Sequence, residues 1–417
     1  MRIALATWSS RQAGGAETYL SRSISAFVSS GHDVLLCYET DEPDDRPHFH
    51  LPPAVTSLCV ATLGVAATLD RLKEWNPDVV YVHGLNDPDF EASLQSIAPS
   101  VFFGHGYYGT CISGDKAHRF PVIQPCARRF GAACLALYYP RRCGGLNPLT
   151  FAKEYRRQQR RLRLLERYDA VLTHSEHMRL EYLRHGAARG RVVNCSVTSD
   201  DASRIPLFHP AQVPSDRVRV PHLVFAGRMD PLKGGAELMR AAAIAHERLG
   251  SGLRLTLAGD GPERPRWERI SRELSARHER LSIHFTGWLG AAGVARLLAT
   301  ADILVMPSLW PEPFGLIGQE ANRQGVPVVA YATGGIPEWL TDGVNGCLAP
   351  GDPPTVEGLA DALVRCLSDR PRHRAMRRAA VTAGHSRPDD LHIDAVLDVL
   401  HQVALERRPA AVVAFTR

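Results

Sequence analysis

The sequence predicts an α/β protein built from two doubly wound, parallel-sheet domains that face a shared cleft. Three observations lead there. Short apolar runs alternate with amphipathic stretches along nearly the whole chain, the pattern of repeated βαβ units. The length, 417 residues, suits two domains of about 200 residues better than one. A stretch at 205–214 with three prolines and weak periodicity separates two such series.

In the first half, residues 3–7, 33–38, 79–83, 101–104 and 170–173 read as strands. The chain enters the first of them at once, reaching polar residues too soon for a signal peptide, so the sequence reads as cytoplasmic. The first helix starts near Gly15, Ala16 and Glu17. Leu20, Ile24, Phe27 and Val28 recur at helical spacing, and Gly31 ends it. The second half repeats the pattern, with strands at 223–227, 253–259, 282–285, 303–306 and 327–330 and helices at 234–249, 264–280, 293–299 and 315–324. Short apolar strands joined by helices require a parallel sheet covered on both faces. The organisation is then a first domain at 1–205, a linker at 206–220, a second domain at 221–385 and a helical tail at 386–417, with an insertion at about 106–167. In such folds ligands bind outside the carboxyl ends of the strands, so chemistry is sought in the strand-end loops.

Hydrophobic residues make up 45% and charged residues 22%, the balance of a globular chain rather than a disordered one. No uncharged apolar run approaches the ~18 residues of a membrane span. The net charge of +5 hides a concentration: from Lys116 to Arg167 there are 13 basic and 2 acidic residues, a net of +11, which leaves about −6 elsewhere. This basic region reads either as a solvated helix face or as a contact for an anionic partner, a phosphorylated acceptor or an acidic membrane surface. Few aromatics interleave with the arginines and no nucleic-acid motif is present, which argues against nucleic acid. Cys111, Cys126, Cys134 and Cys143 lie in or beside the region. Unlinked structural thiols, a four-cysteine zinc site and disulfides all stay open, although no Cys-x2-Cys pair occurs and a cytoplasmic chain disfavours disulfides.

Five motifs carry the chemistry. In Glu312-Pro313-Phe314-Gly315-Leu316-Ile317-Gly318-Gln319-Glu320, two carboxylates stand eight residues apart across the start of a helix, where the Gly315 and Leu316 N–H groups can meet an anion. Carboxylates that accept hydroxyl hydrogen bonds, beside an anion site, suit a sugar nucleotide. Gly227-Arg228 to Lys233-Gly234 follows the first strand of the second domain, and its two cations can converge on a diphosphate. Gly14-Gly15-Ala16-Glu17 is a glycine turn at the first strand-to-helix junction, where backbone can approach a phosphate closely. Ala258-Gly259-Asp260-Gly261-Pro262 and Gly334-Gly335-Ile336-Pro337-Glu338 are glycine turns near the same cleft. Asp87-Pro88-Asp89 has the form of a carboxylate pair for a divalent ion but falls in the wrong domain for a diphosphate.

In their order and spacing these five motifs resemble the large retaining family of GT-B-fold glycosyltransferases (glycosyl transferases group 1), which includes bacterial mannosyl-, glucosyl- and N-acetylglucosaminyltransferases and sucrose synthases. The resemblance spans nearly the whole chain and is tightest over 223–348. It implies the GT-B architecture, two Rossmann-like domains about a central cleft. It implies that Arg228 and Lys233 hold the donor diphosphate and that Glu312 binds sugar hydroxyls near the anomeric carbon. Glu320 would bind ribose, and Gly315 and Leu316, next to Phe314, would touch sugar or phosphate. Gly287 and Trp288 would lie near the base, with Gly227 and Gly259 in the same donor loops. Gly15, with Gly14, would cover the diphosphate from the first domain. His105, after the strand at 101–104, stands where the family often has a histidine facing the sugar, and His83 is its rival. The insertion would shape acceptor choice. After Arg191-Val192-Val193 the chain departs from the family's Asn-Gly-Val-Asp turn, reading Asn194-Cys195-Ser196-Val197-Thr198 and then Leu207-Phe208-His209-Pro210.

The implied reaction is retaining transfer from a nucleoside-diphosphate sugar, with UDP as the default base and GDP and ADP open, to a hydroxyl acceptor in glycan, glycolipid or natural-product biosynthesis, an anionic or lipid-linked acceptor among the candidates. It proceeds by a front-face displacement that needs no cofactor or metal. The alternatives are a sugar-nucleotide epimerase or hydrolase on the same fold, and a non-catalytic sugar-nucleotide-binding scaffold.

Overall fold

A computed structural model describes residues 1–11, 14–41, 48–196 and 220–406. The first domain is built on β1 (Arg2–Ser9), β2 (Asp33–Thr40), β3 (Thr56–Cys59), β4 (Val79–His83), β5 (Ser100–Phe103), β6 (Ala170–Thr173) and β7 (Val192–Asn194). All are parallel, in the order β3-β2-β1-β4-β5-β6-β7. The second domain repeats the scheme with β8 (His222–Ala226), β9 (Leu253–Ala258), β10 (Leu281–Gly287), β11 (Ile303–Met306), β12 (Val328–Tyr331) and β13 (Gly346–Ala349), in the order β10-β9-β8-β11-β12-β13. In both sheets the first strand lies between the second and fourth, so the winding reverses beside it. Crevices at such reversals are where doubly wound folds bind ligands.

The central strands carry the apolar runs because helices cover both of their faces. β4, β5 and β6 are buried at every position. Three strands escaped the sequence reading: β3, β7 and β13. β3 and β7 are short strands at the two edges of the first sheet, and in β3 only Leu58 is fully buried, too little for an apolar run to show.

The helix Asp389–Glu406 is not an appendage of the second domain. Its Ile393, Val396, Leu397, Leu400 and Val403 pack with Ile3, Leu5, Val79, Tyr81 and Val101 of the first sheet. The spacing of three and four residues puts these side chains on one helical face. The chain thus crosses back and ties the two domains together. The linker expected at 206–220 and the departure beyond Ser196 lie outside the described residues, apart from Val220; of the departure, Asn194, Cys195 and Ser196 are described.

The insertion holds a two-residue pairing of Ala117–His118 with Gln124–Pro125, a short helix Ala133–Leu137 and the long helix Pro148–Leu165. Asn147 caps the long helix, its side chain accepting from the Leu149 and Thr150 N–H groups, and Pro148 occupies the first turn, where no N–H is needed. Not all of the local positive charge faces solvent. Lys116 is buried, donating to the Glu181 carboxylate and to the carbonyls of Thr110 and Arg128. Arg161 is buried too, over the Tyr108 ring at 4.2 Å and donating to the Leu85 carbonyl at 2.6 Å.

Candidate functional site

The site assembles where the strand-end loops of the two domains meet. After β8 the chain makes one 3-10 turn, Pro231–Lys233, capped by the Asp230 carboxylate accepting from the Leu232 N–H at 3.0 Å. Gly234 then turns with φ +67°, and a β-carbon there would overlap the Pro307 carbonyl oxygen. That contact locks the Lys233 loop onto the end of β11. Lys233 Nζ reaches the Glu312 Oε1 at 2.6 Å. Ser308 Oγ and Trp310 Nε1 donate to the same oxygen, at 2.5 and 3.1 Å. Burial alone would raise the Glu312 carboxyl, but the Lys233 charge and these hydrogen bonds outweigh it and hold the group below its ordinary value. Glu312 is therefore a buried carboxylate kept ionised by one cation.

Gly315, with φ +93°, starts the helix Leu316–Arg323, and a β-carbon there would press on the Met306 methyl at 2.7 Å. Across the cleft Gly15 faces this helix start: a β-carbon on Gly15 would stand 3.5 Å from Leu316 Cδ1. The Gly14-Gly15 turn and the Gly315-Leu316 turn are thus apposed. Phe314 is buried, its ring stacked on His174 at 5.4 Å. Glu320 also looks toward the first domain, with Arg22 Nη2 at 3.2 Å from its Oε1. A cavity of about 590 Å³ lies between these helices, lined by Tyr19, Arg22, His174, Phe314, Leu316 and Glu320.

Other expected donor residues show a backbone role. Gly227 N–H donates to the Ala258 carbonyl at 3.0 Å and Gly259 N–H to the Gly287 carbonyl at 2.8 Å. A β-carbon on Gly259, at φ +134°, would overlap the Gly227 carbonyl oxygen. These glycines let three neighbouring loops touch backbone to backbone. Trp288 stands beyond them, half exposed at the rim. Arg228 is exposed at the lip of the cleft, within electrostatic reach of Asp115 in the insertion, and takes no part in the Lys233–Glu312 cluster.

The Gly334-Gly335-Ile336-Pro337-Glu338 turn has two jobs that its sequence conceals. A β-carbon on Gly334 would overlap the Glu312 carbonyl oxygen, and Gly335 N–H donates to that oxygen at 2.7 Å, so the turn carries the Glu312 loop. Glu338 reaches the other domain, where its two carboxylate oxygens accept from the Glu176 and His177 N–H groups at 2.8 and 2.7 Å. It caps the helix Glu176–Arg184, where a negative charge is favourable. Ser175 Oγ donates to the Pro313 carbonyl at 2.5 Å, and Tyr107 Oη to the Pro311 carbonyl at 2.8 Å. The first domain thus grips the Glu312 loop at Pro311 and Pro313, and the turn that carries it at Glu338. Glu338→Ala is expected to lower interdomain stability by about 1–2 kcal/mol, read as a lower unfolding midpoint.

His105 and His83 meet, the His83 Nδ1 and His105 Nε2 sharing a hydrogen bond of 2.9 Å. Burial pushes the His105 imidazole down to about 3 and His83 well below its ordinary value, so both are neutral. Sequence reasoning missed two further histidines. The rings of His83, His105, His174 and His392 surround Tyr19 at 5.9, 5.3, 4.9 and 5.5 Å. His174 directly follows β6, a strand-end position that could have marked it; His392 comes from the returning tail helix, which no local signal reveals. A second cavity, of about 300 Å³, opens on the insertion side of the pair, lined by His83, His105, Tyr107, Tyr108, Gln158 and Arg161.

Cys111, Cys126, Cys134 and Cys143 are partly buried free thiols. Cys134 and Cys143 pack on Ile112, Phe130 and Tyr138, and Cys143 Sγ lies 3.7 Å from His118 Nδ1. Among the described residues, no three His, Cys, Asp or Glu side chains are placed to hold a metal ion. The Asp87 and Asp89 pattern resolves into structure: Asp87 caps the helix Pro88–Leu94 and Asp89 pairs with Arg160.

Comparison with known proteins gives a consistent picture. The model of Glycosyltransferase Family 4 matches residues 13–200, and that of Glycosyl transferases group 1 matches residues 220–369. A D-inositol 3-phosphate glycosyltransferase of Xylanimonas cellulosilytica is 34% identical over 218 residues, which is 51% of this chain and 49% of that relative. One from Salinispora tropica is 31% identical over 251 residues, 59% of this chain and 49% of the relative. The chain spans about half the length, or less, of the first curated relatives it matches. Among solved structures, sucrose-phosphate synthase from Thermosynechococcus elongatus shares the fold with a TM-score of 0.71 at 20% identity, over 97% of this chain and 99% of that one. Anabaena Alr3699/HepE in complex with UDP and glucose does so with a TM-score of 0.64 at 20% identity, over 96% and 100%. One glycosyltransferase family model thus falls on each domain, Glycosyltransferase Family 4 on the first and Glycosyl transferases group 1 on the second, and the fold is shared along almost the whole length of sucrose-phosphate synthase.

Proposed function

We propose that the protein transfers a sugar, with retention of anomeric configuration, from a nucleoside-diphosphate sugar carrying UDP to a hydroxyl acceptor in glycan, glycolipid or natural-product biosynthesis. The observation that carries this reading is the buried Lys233–Glu312 pair, set where the second sheet reverses. Across the cleft, Gly15 faces the neighbouring Leu316. The complexes of Anabaena Alr3699/HepE with UDP, and with UDP-glucose, support the choice of base.

In this reading Lys233 has ammonium hydrogens left after Glu312 takes one, and it directs them at the diphosphate as negative charge develops there. Arg228 closes on the same group from the lip, by its fork. Glu312 accepts hydroxyl hydrogens of the sugar. Glu320 exchanges Arg22 for the ribose hydroxyls, and the Leu316 N–H meets sugar or phosphate. The leaving phosphate oxygen takes the acceptor proton as the acceptor attacks from the same face. With two cations and helix N–H groups on the charge, the transfer needs no metal. His105, neutral and paired with His83, offers a hydrogen bond to the smaller cavity, in this reading the acceptor side; the larger cavity, with Glu320 in its wall, is the donor side.

The test is thermal stabilisation by UDP, GDP and ADP, followed by NMR of the product made from the matching labelled sugar nucleotide. A selective shift with UDP that disappears in Glu320→Ala and Lys233→Ala, with a retained anomeric signal, is expected. No shift with any nucleotide at millimolar concentration, or an inverted product, would overturn the reading.

The neutral histidines also set a pH dependence. Their folded values lie below about 6.5, the unfolded value, so the unfolded state binds more protons on the acid side. Stability is therefore full above about pH 6.5 and falls as the pH drops toward the folded values, by roughly 1.4 kcal/mol per pH unit for each such histidine in that window. Denaturant unfolding across this range checks it, and His83→Asn is expected to flatten the slope.

A further inference from the structure

We propose that the insertion docks the protein on an anionic phospholipid bilayer, through the outer face of the helix Pro148–Leu165 and the groove beside it. On that helix Lys153, Arg156, Arg160 and Arg163 are exposed at spacings of three and four residues, so they form one stripe. The opposite face is anchored in the protein by Gln158, Arg161, Leu164 and Leu165. Arg160 pairs with Asp89, but Lys153, Arg156 and Arg163 make no ion pair among the described residues. A stripe with three of its four cations left without an internal counter-charge is complementary to a negatively charged surface.

Charge alone would fit many partners; the apolar side chains beside it narrow the choice. Leu146 and Leu149, at the start of the same helix, are 73% and 79% exposed. Phe120, Val122, Leu135 and Tyr139 are exposed elsewhere in the insertion. Together these six are half of the twelve large apolar side chains left exposed among the described residues. Exposed leucines ahead of a lysine and arginine stripe are the make-up of a helix that lies in a membrane interface, apolar tips among the acyl chains and cations at the headgroups. A nucleic acid would be met by interleaved aromatics, which this stripe lacks.

The groove adds a place for a lipid. It has a volume of about 940 Å³ and runs between the segment 60–65 and the helix. Val60, Val65 and Leu149 supply apolar wall, while Lys153, Arg156 and Arg160 supply the charged one. The acidic residues there are already engaged: Glu39 accepts from the Asn86 and Asp87 N–H groups, and Asp87 caps its own helix. Gln158 and Arg161, on the anchored side, line the smaller cavity beside His105. Docking would therefore bring that cavity near the lipid surface, a consequence that rests on the proposed acceptor side, whereas the docking itself does not.

The experiment is sedimentation of the full chain with vesicles of phosphatidylglycerol and phosphatidylcholine, or of phosphatidylcholine alone, at low and high salt. Binding to the anionic vesicles only, weakened by salt, is expected. It should fall at least tenfold in Lys153→Ala/Arg156→Ala/Arg163→Ala, and clearly in Leu146→Ser/Leu149→Ser. These side chains are exposed, and circular dichroism with an unchanged unfolding midpoint confirms that both variants fold. No binding to anionic vesicles, or equal binding by folded variants, overturns the proposal. So does capture by heparin that the stripe governs while vesicles are ignored, which would point to an acidic polymer. None of these readouts uses a sugar nucleotide, so the docking and the transfer reaction fail or stand separately.

Discussion

Lys233→Ala is expected to abolish most sugar transfer and to destabilise the protein, and the two losses have different causes. Activity falls because the cation that meets the developing diphosphate charge is gone. Loss of one such preorganised donor costs roughly 3 kcal/mol of transition-state stabilisation, a rate drop on the order of a hundredfold. Stability falls because Glu312, only 6% exposed, keeps its charge but loses its counter-ion. Removing one partner of a buried pair costs about 3–5 kcal/mol, and because Lys233 is itself a quarter exposed the lower end applies. Adding Glu312→Gln should separate the effects. An amide no longer needs the cation and can still accept from Ser308 Oγ and Trp310 Nε1. The double variant is expected to recover most of the lost stability and none of the activity. Denaturant unfolding and single-turnover assays measure the two quantities. If the double variant stays as unstable as the single one, the pair is not the origin of the stability loss.

Gly234→Ala is expected to be among the most damaging single methyl additions at the described glycines. Its φ of +67° is unfavourable for any L side chain, a cost of about 1–2 kcal/mol. Beyond that, the new β-carbon would overlap the Pro307 carbonyl oxygen, a backbone atom at the end of β11 that cannot rotate away. Either the Lys233 turn or the end of β11 must move, and both carry the site. A destabilisation of about 3 kcal/mol or more, with loss of nucleotide-induced stabilisation, is therefore expected. Gly31→Ala is the control: it has a similar φ, +78°, but open space around the new carbon. It should show the conformational cost alone, and thermal unfolding of both variants tests the difference.

The alternation of apolar runs and helical periods identified both sheets, because buried parallel strands must be apolar throughout. The Glu312 to Glu320 spacing and the Lys233 loop were legible for a related reason: they sit in continuous stretches beside strands already recognised. The glycine motifs were legible as positions but not in every role. Gly259 and Gly334 are glycine because another loop's carbonyl lies where a β-carbon would be, and the position of that other loop is nowhere in their own segment. Glu338 read as part of a glycine turn near the cleft, yet its carboxylate caps a helix 161–162 residues away in the chain. The charge excess of the insertion was visible, but not that Lys116 and Arg161 are buried while Lys153, Arg156 and Arg163 face outward.

By itself the sequence determined the two-domain α/β architecture and the strand-end positions of the motifs, the Lys233 loop and the Glu312 to Glu320 stretch among them. These follow from local periodicity, turn residues and spacing. Only the tertiary structure decided which groups meet: Lys233 with Glu312, His83 with His105, Arg22 with Glu320, and the tail helix with the first sheet. The physical reason is that such meetings depend on how the two sheets are set face to face. That arrangement comes from packing and backbone contacts summed over the whole chain, not from any one stretch of it.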